Sequence, residues 1–578
     1  MTGREQAPVW RTMTVVAQML EYRAGLLHAI LAGLAIAAAL FVSDRGYDIS
    51  DEAYYVLSAS LPGSVEAYIS PQHWLLGPLW RISGDLQSFR LVGLSVLILS
   101  SVVLAIGVTA VARKLRPAHG RASALSIFSI SIAGALLYLT TINLSPSYNL
   151  LASAGCAAAI GFSLLATVAR RIGPAAIFGA LAGLALTVEF VSKPSSAICT
   201  LLILPLFLWS GTGRFGRMLA LWVLTGAVFA ASLTGVVLLQ GPWSETRDAL
   251  ADGYALFRSV QSEPVADRLL RYAREYTADI FWMLKGFLPF VLCFALYIVR
   301  PLALTAWIAV LSLLATLIIG RHLLGGSPDG MDQYGLQIEA LLVMLLASAV
   351  LARRSLGSDW RVAALAAGLF IAPYSVAVGT GNAIFTQVIV TAAPWAALMA
   401  LMPSLSQSGP DRFISLTLTS VFAATITSQI ATSLYGPAYH LGAPLAAQTE
   451  PVNIGTLGNV RLDPATAAFV ADLGKAAAIC GLPQGLPFLG FYDVPGVALA
   501  FRAVPVGSPW INNPPQASAI LTPERLSTLG PVIVARRIGW DGVWPDLPRE
   551  LGAFSDFQLC GTAVYPFGAQ KIEIWFRR

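Results

Sequence analysis

Long apolar segments recur along the chain up to about residue 434, separated by short polar stretches. Each is close to the roughly 20 residues that a helix needs to cross a bilayer. The first lies too far from the start of the chain for a signal-peptide core. The pattern predicts thirteen spanning helices, at 24–42, 89–112, 122–140, 148–168, 174–191, 195–210, 216–239, 281–300, 301–319, 335–352, 361–379, 384–402 and 413–434.

After residue 435 the pattern changes and no further spanning segment follows. Asp463-Pro464 and the alanine-rich run behind it predict a capped helix. The segments LPFLGFY, VALAFRA, PVIVARR and QKIEIWF predict strands. Residues 435–578 are therefore expected to form a small α/β domain outside the membrane. Cys480 and Cys560 both fall in it, and the sequence leaves open whether they form a disulfide.

The composition agrees with a polytopic α-helical membrane protein. Hydrophobic residues make up 56% of the chain and charged residues only 12%, against about 25% charged residues in globular domains. Because the chain has no P-loop, no GxGxxG that opens a helix after a strand, no HExxH and no CxxC, nothing supports ATP or dinucleotide chemistry. The net charge of +6 does not indicate nucleic-acid binding, since the basic residues lie mostly at helix ends.

Lysine and arginine predict the orientation. With a cytoplasmic N-terminus, sixteen of them fall in short cytoplasmic segments, while the short outer loops hold at most one each. We therefore expect a bacterial inner-membrane protein with a periplasmic C-terminal domain. Its parts are a cytoplasmic segment 1–23, a transmembrane domain 24–434 with outer loops 43–88 and 240–280, and the domain 435–578.

The polar side chains gather in the predicted outer loops. Asp51-Glu52 opens a stretch, EAYYVLSASL, that is amphipathic and too short to cross a bilayer. A purely structural interpretation is also open, because acidic residues are favoured at a helix start and Ser50 is an equally suitable cap. Tyr148 and Asn149 stand where the fourth span begins.

Cations lie in the same predicted zone. Lys193 follows the fifth span, and Arg321-His322 precede the tenth. Lys193 could instead pair with Glu189 four residues earlier, and Arg321-His322 could anchor a helix end at the membrane surface. An acid beside cations suits transfer from a lipid phosphate, because the carboxylate accepts a proton while the cations stabilise the leaving group.

An Asp-Glu pair just after the first span, leading a short helix with tyrosine, resembles the glycosyltransferase C (GT-C) superfamily. Protein O-mannosyltransferases and the lipid A aminoarabinose transferase are members. The segment FYDVPGVALAF at 491–501 is similar to the tail of such bacterial proteins. The resemblance implies a GT-C-like fold, a sugar donor linked to polyprenyl phosphate, inversion at the anomeric carbon and Asp51 as the general base.

The resemblance also suggests binding residues and shows two departures. His73 stands in Pro71-Gln72-His73, where many relatives have Lys-Pro-Pro or His-Pro-Pro, and Asn149 stands where many have an acid. The second departure leaves the use of a divalent metal open. The candidates for binding the sugar or the lipid phosphate are Glu52, Tyr54, His73, Tyr148, Asn149, Lys193, Arg321 and His322.

The sequence thus predicts an integral membrane glycosyltransferase that moves a sugar from a polyprenyl-phosphate donor to an extracytoplasmic glycolipid, polysaccharide or protein. A transporter or flippase of a lipid-linked saccharide is the alternative, but it predicts internal symmetry and polar residues at mid-membrane, which we do not find. A non-catalytic assembly protein, whose outer tail binds a partner, is a third. The sugar, the acceptor and the oligomeric state are not determined by the sequence.

Overall fold

The computed structural model describes most of the chain, in ranges separated by short gaps and two longer ones. These are residues 6–68, 70–116, 121–141, 143–260, 263–299, 331–379, 381–406, 409–436, 438–538 and 556–578. The predicted span 301–319 and the candidates Arg321 and His322 lie outside them.

The transmembrane part is built of helices. In chain order they are α1 (Gln6–Phe41), α2 (Asp51–Ser60), α3 (His73–Ser83), α4 (Leu86–Leu115), α5 (Arg121–Leu136), α6 (Tyr148–Val168), α7 (Ile172–Ser192), α8 (Pro194–Thr212), α9 (Phe215–Gln240), α10 (Trp243–Val260), α11 (Val265–Gly286), α12 (Leu288–Val299), α13 (Met331–Leu351), α14 (Arg353–Ser358), α15 (Trp360–Ala377), α16 (Ile384–Ile389), α17 (Ala393–Leu405) and α18 (Gly409–Tyr435).

Among the described residues, nine helices are long and apolar enough to cross a membrane. They are Met19–Phe41, Leu86–Leu115, Ser123–Thr140, Tyr148–Val168, Ile172–Ser192, Pro194–Thr212, Phe215–Gln240, Trp360–Ala377 and Gly409–Tyr435. All nine coincide with predicted spans, so the prediction of a multi-pass α-helical membrane protein is confirmed.

Three other predicted spans differ from the prediction in length or continuity. The apolar helix Ala340–Leu351 covers only part of the predicted span 335–352. Residues 281–300 are divided between α11 and α12. The predicted span 384–402 is wrong as one helix, because the chain forms α16 and α17 there. Pro394 lies in the first turn of α17, the position where a missing backbone N–H costs least.

The C-terminal domain contains every described strand. Its elements are β1 (Glu450–Asn453), β2 (Asn459–Leu462), α19 (Pro464–Cys480), β3 (Pro487–Phe491), α20 (Pro495–Phe501), β4 (Val504–Pro505), α21 (Pro514–Ile520), α22 (Pro523–Ser527), β5 (Val532–Ile538), β6 (Gln558–Tyr565) and β7 (Gln570–Arg577). Five strands form one mixed sheet in the order β4-β3-β5-β7-β6.

This domain agrees with the predicted α/β class, and one of the predicted elements has a different structure. The segment VALAF, predicted as a strand, belongs to helix α20, which begins at a proline. Asp463 caps α19 through the backbone N–H groups of Ala465 and Thr466, as expected. A disulfide between Cys480 and Cys560, whose Cα atoms are 5.4 Å apart, joins α19 to β6.

The C-terminal domain packs directly on the first loop and on α10. The Tyr47 hydroxyl donates to the Gly496 carbonyl, and the Gly496 N–H donates to the Ile49 carbonyl at 2.7 Å. A Cβ at Gly496 would lie 2.6 Å from the Ile49 Cα, so only glycine permits this approach. Leu256 of α10 packs in an apolar cluster with Ile520 of the domain. The three segments predicted on one side of the membrane therefore contact one another.

Candidate active site

Helix α2 is fixed in place by a buried ion pair between Glu52 and Arg90 of α4. Arg90 Nε and Nη2 donate to the two carboxylate oxygens at 2.7 and 2.6 Å. Asn143 and Ser145 donate to the same carboxylate at 3.0 and 2.6 Å. Because four donors already occupy the Glu52 carboxylate, we assign this residue to positioning α2 rather than to accepting a sugar hydroxyl.

The first turn of α2 is capped by Asp48. Its Oδ2 accepts the Glu52 N–H at 3.1 Å, and its Oδ1 accepts both the N–H and the hydroxyl of Ser50 at 2.8 and 2.6 Å. Ser50, expected as a cap, makes no capping hydrogen bond with its side chain. The Asp48 carboxylate is buried, and the helix start is therefore satisfied without Asp51.

Asp51 is therefore not needed to stabilise the start of α2, which is the structural role that its position suggested. Its side chain is only partly buried, and its Oδ2 accepts a hydrogen bond from the Tyr439 hydroxyl. Within the described ranges, its Oδ1 has no hydrogen-bond partner. Burial and the neighbouring Asp48 charge raise the pKa of Asp51, while His440 and Tyr439 lower it. The result is a carboxylate with increased proton affinity and one free oxygen.

Tyr439 and His440 come from the segment that follows α18, and sequence reasoning missed both. Their rings stack with centroids 3.8 Å apart. His440 Nδ1 lies 2.6 Å from the Ser50 hydroxyl and 3.7 Å from the Asp48 carboxylate. Burial lowers the pKa of His440, but Asp48, together with the charges of Asp51 and Asp493, raises it to about 9. His440 is therefore a cation near Asp51 at neutral pH.

The C-terminal domain supplies a second carboxylate, Asp493, which follows β3. The Trp510 indole N–H donates to its Oδ1 at 2.7 Å, and Arg537 Nη1 lies 3.6 Å from its Oδ2. Burial and the charges of Asp51 and Asp48 raise its pKa to about 6. The sequence carried a signal for this residue, since it lies inside the segment FYDVPGVALAF.

Of the predicted aromatic and amide candidates, Tyr54 lies at the site. It follows Asp51 by three residues on α2, and its ring is 5.4 Å from that of Trp510. Tyr148 lies beside the same turn of α2, with its ring 5.9 Å from that of Tyr55, which follows Asp51 by four residues on one helix face. Asn149 is buried at the start of α6, inside the helix bundle.

His73 borders a separate cavity of about 590 Å³ between α3 and α10. The cavity is also lined by Tyr68, Trp74, Arg81 and Glu245. His73 Nδ1 is buried and has no hydrogen-bond partner among the described residues. Burial lowers the pKa of His73 to about 4, so it is neutral at pH 7 and offers a phosphate an N–H group but no charge.

Lys193 lies at the junction of α7 and α8. Its ammonium group donates to the Val376 carbonyl at 2.7 Å. The Glu189 carboxylate accepts hydrogen bonds from Ser196 and Thr200 instead of forming the direct pair with Lys193. In this conformation Lys193 is engaged with the transmembrane helices rather than with α2.

Arg321 and His322 lie outside the described residues, so their relation to Asp51 stays a prediction. Within the ranges that are described, no group of three histidine, cysteine, aspartate or glutamate side chains is arranged to bind a metal.

No family model matches the chain, and no curated protein matches it. Among solved structures, ArnT from Cupriavidus metallidurans in the apo state is similar. It has 11% identical residues, the match covers 94% of this chain and 97% of that chain, and the TM-score is 0.34. With so few identical residues and so low a TM-score, the likeness does not decide the fold family or the activity.

Proposed function

We propose that the chain is a GT-C-like glycosyltransferase that moves a sugar from a polyprenyl-phosphate donor to an acceptor outside the cytoplasm. The observation that carries the proposal is Asp51. It is a partly exposed carboxylate, and one of its oxygens has no partner among the residues that the structure describes. It stands at the start of a helix whose structural needs are met by other acids.

The carboxylate is suited to general-base work. Its Oδ1 accepts the proton of an acceptor hydroxyl or amine while that atom attacks the anomeric carbon. The bond from the anomeric carbon to the phosphate oxygen breaks on the opposite face, so the anomeric centre inverts. Tyr439 holds the other oxygen, which fixes the direction of the free one.

Glu52 is a less suitable base. Its charge is balanced by Arg90, and both of its oxygens accept hydrogen bonds within the protein. A side chain in this state has no lone pair directed at a substrate. We therefore place Glu52 behind the site, where it orients α2.

The donor phosphate requires cations, and we keep Lys193, Arg321 and His322 as its candidate contacts. His73 stays a candidate as an uncharged N–H donor. His440 adds a cation on the Asp51 side of the site. Tyr54 and Tyr148 remain candidates for the sugar, and Asn149 does so only after a rearrangement, since it is buried here. The apolar spans supply the environment for a long lipid tail.

We place the enzyme in a bacterial inner membrane, with a cytoplasmic N-terminus, a catalytic domain at 24–434 and a periplasmic domain at 435–578. The Cys480–Cys560 disulfide supports this orientation, because such bonds persist in an oxidising compartment.

The test uses the purified chain with synthetic neryl phosphate sugars and a set of lipid, glycan and peptide acceptors. Wild-type protein should transfer sugar, and Asp51→Asn should lower kcat by roughly 10²–10⁴-fold, the usual contribution of a general base. Asp472→Asn, an exposed acid paired only with Lys475, is the matched control and should keep normal activity.

Two results would contradict the proposal. One is normal turnover by Asp51→Asn. The other is movement of the labelled lipid across a vesicle bilayer with no cleavage of the sugar, which would identify a transporter. A non-catalytic assembly protein would neither transfer the sugar nor move the lipid.

A further inference from the structure

The geometry points to a sugar-binding subsite on the C-terminal domain, formed by Asp493 and Trp510 facing Asp51 and Tyr54 of α2. Its ligand is a sugar ring, brought either by the lipid-linked donor or by the acceptor. The inference rests on the proposed function in one respect, which is that the chain handles lipid-linked sugars.

The loop that carries Asp493 is held rigidly against the first loop of the transmembrane domain. Its backbone N–H donates to the Ile511 carbonyl at 3.0 Å, and Gly496, three residues later, is bound to Ile49 and Tyr47. Asp493 itself has a positive φ of 61°. The carboxylate is therefore fixed relative to α2 and does not depend on domain movement.

The two facing surfaces carry the groups that recognise sugars. The rings of Trp510 and Tyr54 are in contact, with centroids 5.4 Å apart and an inclination of 38°, and together they form one aromatic surface beside the two acids. Binding sites for small polar molecules combine such apolar walls with a few fixed polar groups. Asp493 provides the polar group, because a carboxylate accepts about four hydrogen bonds. Among the described residues, only the Trp510 indole donates one to it.

The position of Asp493 is also accessible to a ligand. Its side chain is 15% exposed, and Trp510, Tyr54 and Asp51 all keep some exposed surface. Its nearest cation, Arg537, is 3.6 Å away, which is beyond a hydrogen bond. A plain ion pair that docks the loop on β5 is the competing explanation, and the experiment separates the two.

A neutral sugar also fits the charges beside this aromatic surface. Burial and the charges of Asp51 and Asp48 raise the pKa of Asp493 to about 6, which places the carboxylates within electrostatic reach of one another. Sugar hydroxyls placed between them would donate to both acids.

The experiment measures binding rather than turnover, by isothermal titration of the purified full chain in detergent. The probes are neryl phosphate alone, neryl phosphate linked to mannose, galactose, glucose or arabinose, and the methyl glycosides of the same sugars. The variants are Asp493→Asn and Trp510→Ala, with Asp472→Asn on the same domain as the control. Asparagine tolerates a positive φ and can still accept the indole N–H, so Asp493→Asn should keep the wild-type melting temperature.

We expect wild-type protein to bind at least one neryl phosphate sugar or methyl glycoside more tightly than the matching probe without that sugar. Both variants should weaken that interaction about tenfold or more, which is the effect of losing a hydrogen bond to a charged group. Their affinity for neryl phosphate alone should not change. A loss confined to the lipid-linked sugars assigns the subsite to the donor, and a loss confined to the methyl glycosides assigns it to the acceptor.

Three results would overturn the inference. They are wild-type protein that shows no preference for a sugar, Asp493→Asn with wild-type affinity for every probe, and an equal loss for neryl phosphate alone, which indicates a structural role. Sugar binding that depends on Asp493 in a protein that transfers nothing would keep the subsite and refute the proposed transferase. Sugar transfer by the wild-type protein, with unchanged binding affinities in the variants, would support the proposed transferase and refute the subsite.

Discussion

The ion pair between Glu52 and Arg90 should contribute strongly to the stability of the transmembrane domain. The Arg90 side chain is 2% exposed, and all five of its N–H groups are used. Two N–H groups bind Glu52, and three bind the carbonyls of Ser43, Arg45 and Gly46. Removing the guanidinium leaves a buried carboxylate without its counter-ion and three carbonyls without donors.

The expected loss follows from the desolvation of that charge. Breaking a buried pair from one side costs about 3–5 kcal/mol, whereas an exposed pair is worth about 0–1 kcal/mol. Arg90→Met should therefore lose about 3–5 kcal/mol of unfolding free energy. Adding Glu52→Gln removes the uncompensated charge and keeps one oxygen as an acceptor for Asn143 or Ser145, so the double variant should recover about 1–3 kcal/mol.

The assay is reversible unfolding in mixed micelles with a rising fraction of SDS, followed by tryptophan fluorescence. Lys475→Met is the control, since it breaks an ion pair whose side chains are 73% and 41% exposed. A wild-type stability for Arg90→Met, within about 1 kcal/mol, would refute the reasoning. So would a double variant that is no more stable than Arg90→Met alone.

Three other perturbations test the site and its surroundings. Burial and a neighbouring carboxylate raise the pKa of Asp51, and the Tyr439 hydroxyl lowers this pKa. Tyr439→Phe should therefore raise the pKa of Asp51 further and move the acid limb of the kcat/KM profile to higher pH. The pKa of His440 is raised from 6.5 to about 9, so its contribution to the free energy of unfolding is complete below pH 6.5 and is lost as the pH rises through 9. His440→Asn should abolish that pH dependence of unfolding. Replacing Cys480 and Cys560 by serine opens a loop of 80 residues and should cost about 4 kcal/mol in SDS unfolding.

Each of these has a control and a contradicting outcome. Tyr435→Phe changes an exposed tyrosine nearby and should leave the pH–rate profile unmoved. An unshifted acid limb in Tyr439→Phe would remove that hydroxyl from the Asp51 site. Stability of His440→Asn that still falls between pH 6.5 and 9 would assign the titration to another group. Cys156→Ser is the control for the disulfide. If this variant and the double serine variant of Cys480 and Cys560 had equal free energies of unfolding, the expected loss of about 4 kcal/mol would be contradicted.

The hydropathy pattern was sufficient for most of the fold. Nine predicted spans coincide with spanning helices, and the change after residue 435 marks the beginning of the strand-containing region. These features are local, because the free energy of placing a segment in lipid depends mainly on its own side chains. The break between α16 and α17 was missed because a window of apolar residues does not register the backbone effect of Pro394.

The candidate site could be predicted only in part. The sequence singled out Asp51-Glu52 as a pair, and the two residues proved to have different surroundings. Glu52 is paired with Arg90, which no local pattern indicated, whereas one oxygen of Asp51 has no partner in the part of the chain that the structure describes. Adjacent residues on a helix point about 100° apart, so their roles depend on what packs on each face.

The sequence by itself determined the membrane class, most of the spans, the helix start at Asp51 and the two cysteines of the C-terminal domain. Only the tertiary structure brought Tyr439, 388 residues away, to the Asp51 carboxylate, placed Asp493 and Trp510 opposite it, and joined Cys480 to Cys560. The physical reason is that partition into lipid is decided segment by segment. Contacts between distant segments instead depend on how the whole chain packs, and no short stretch of sequence carries that information.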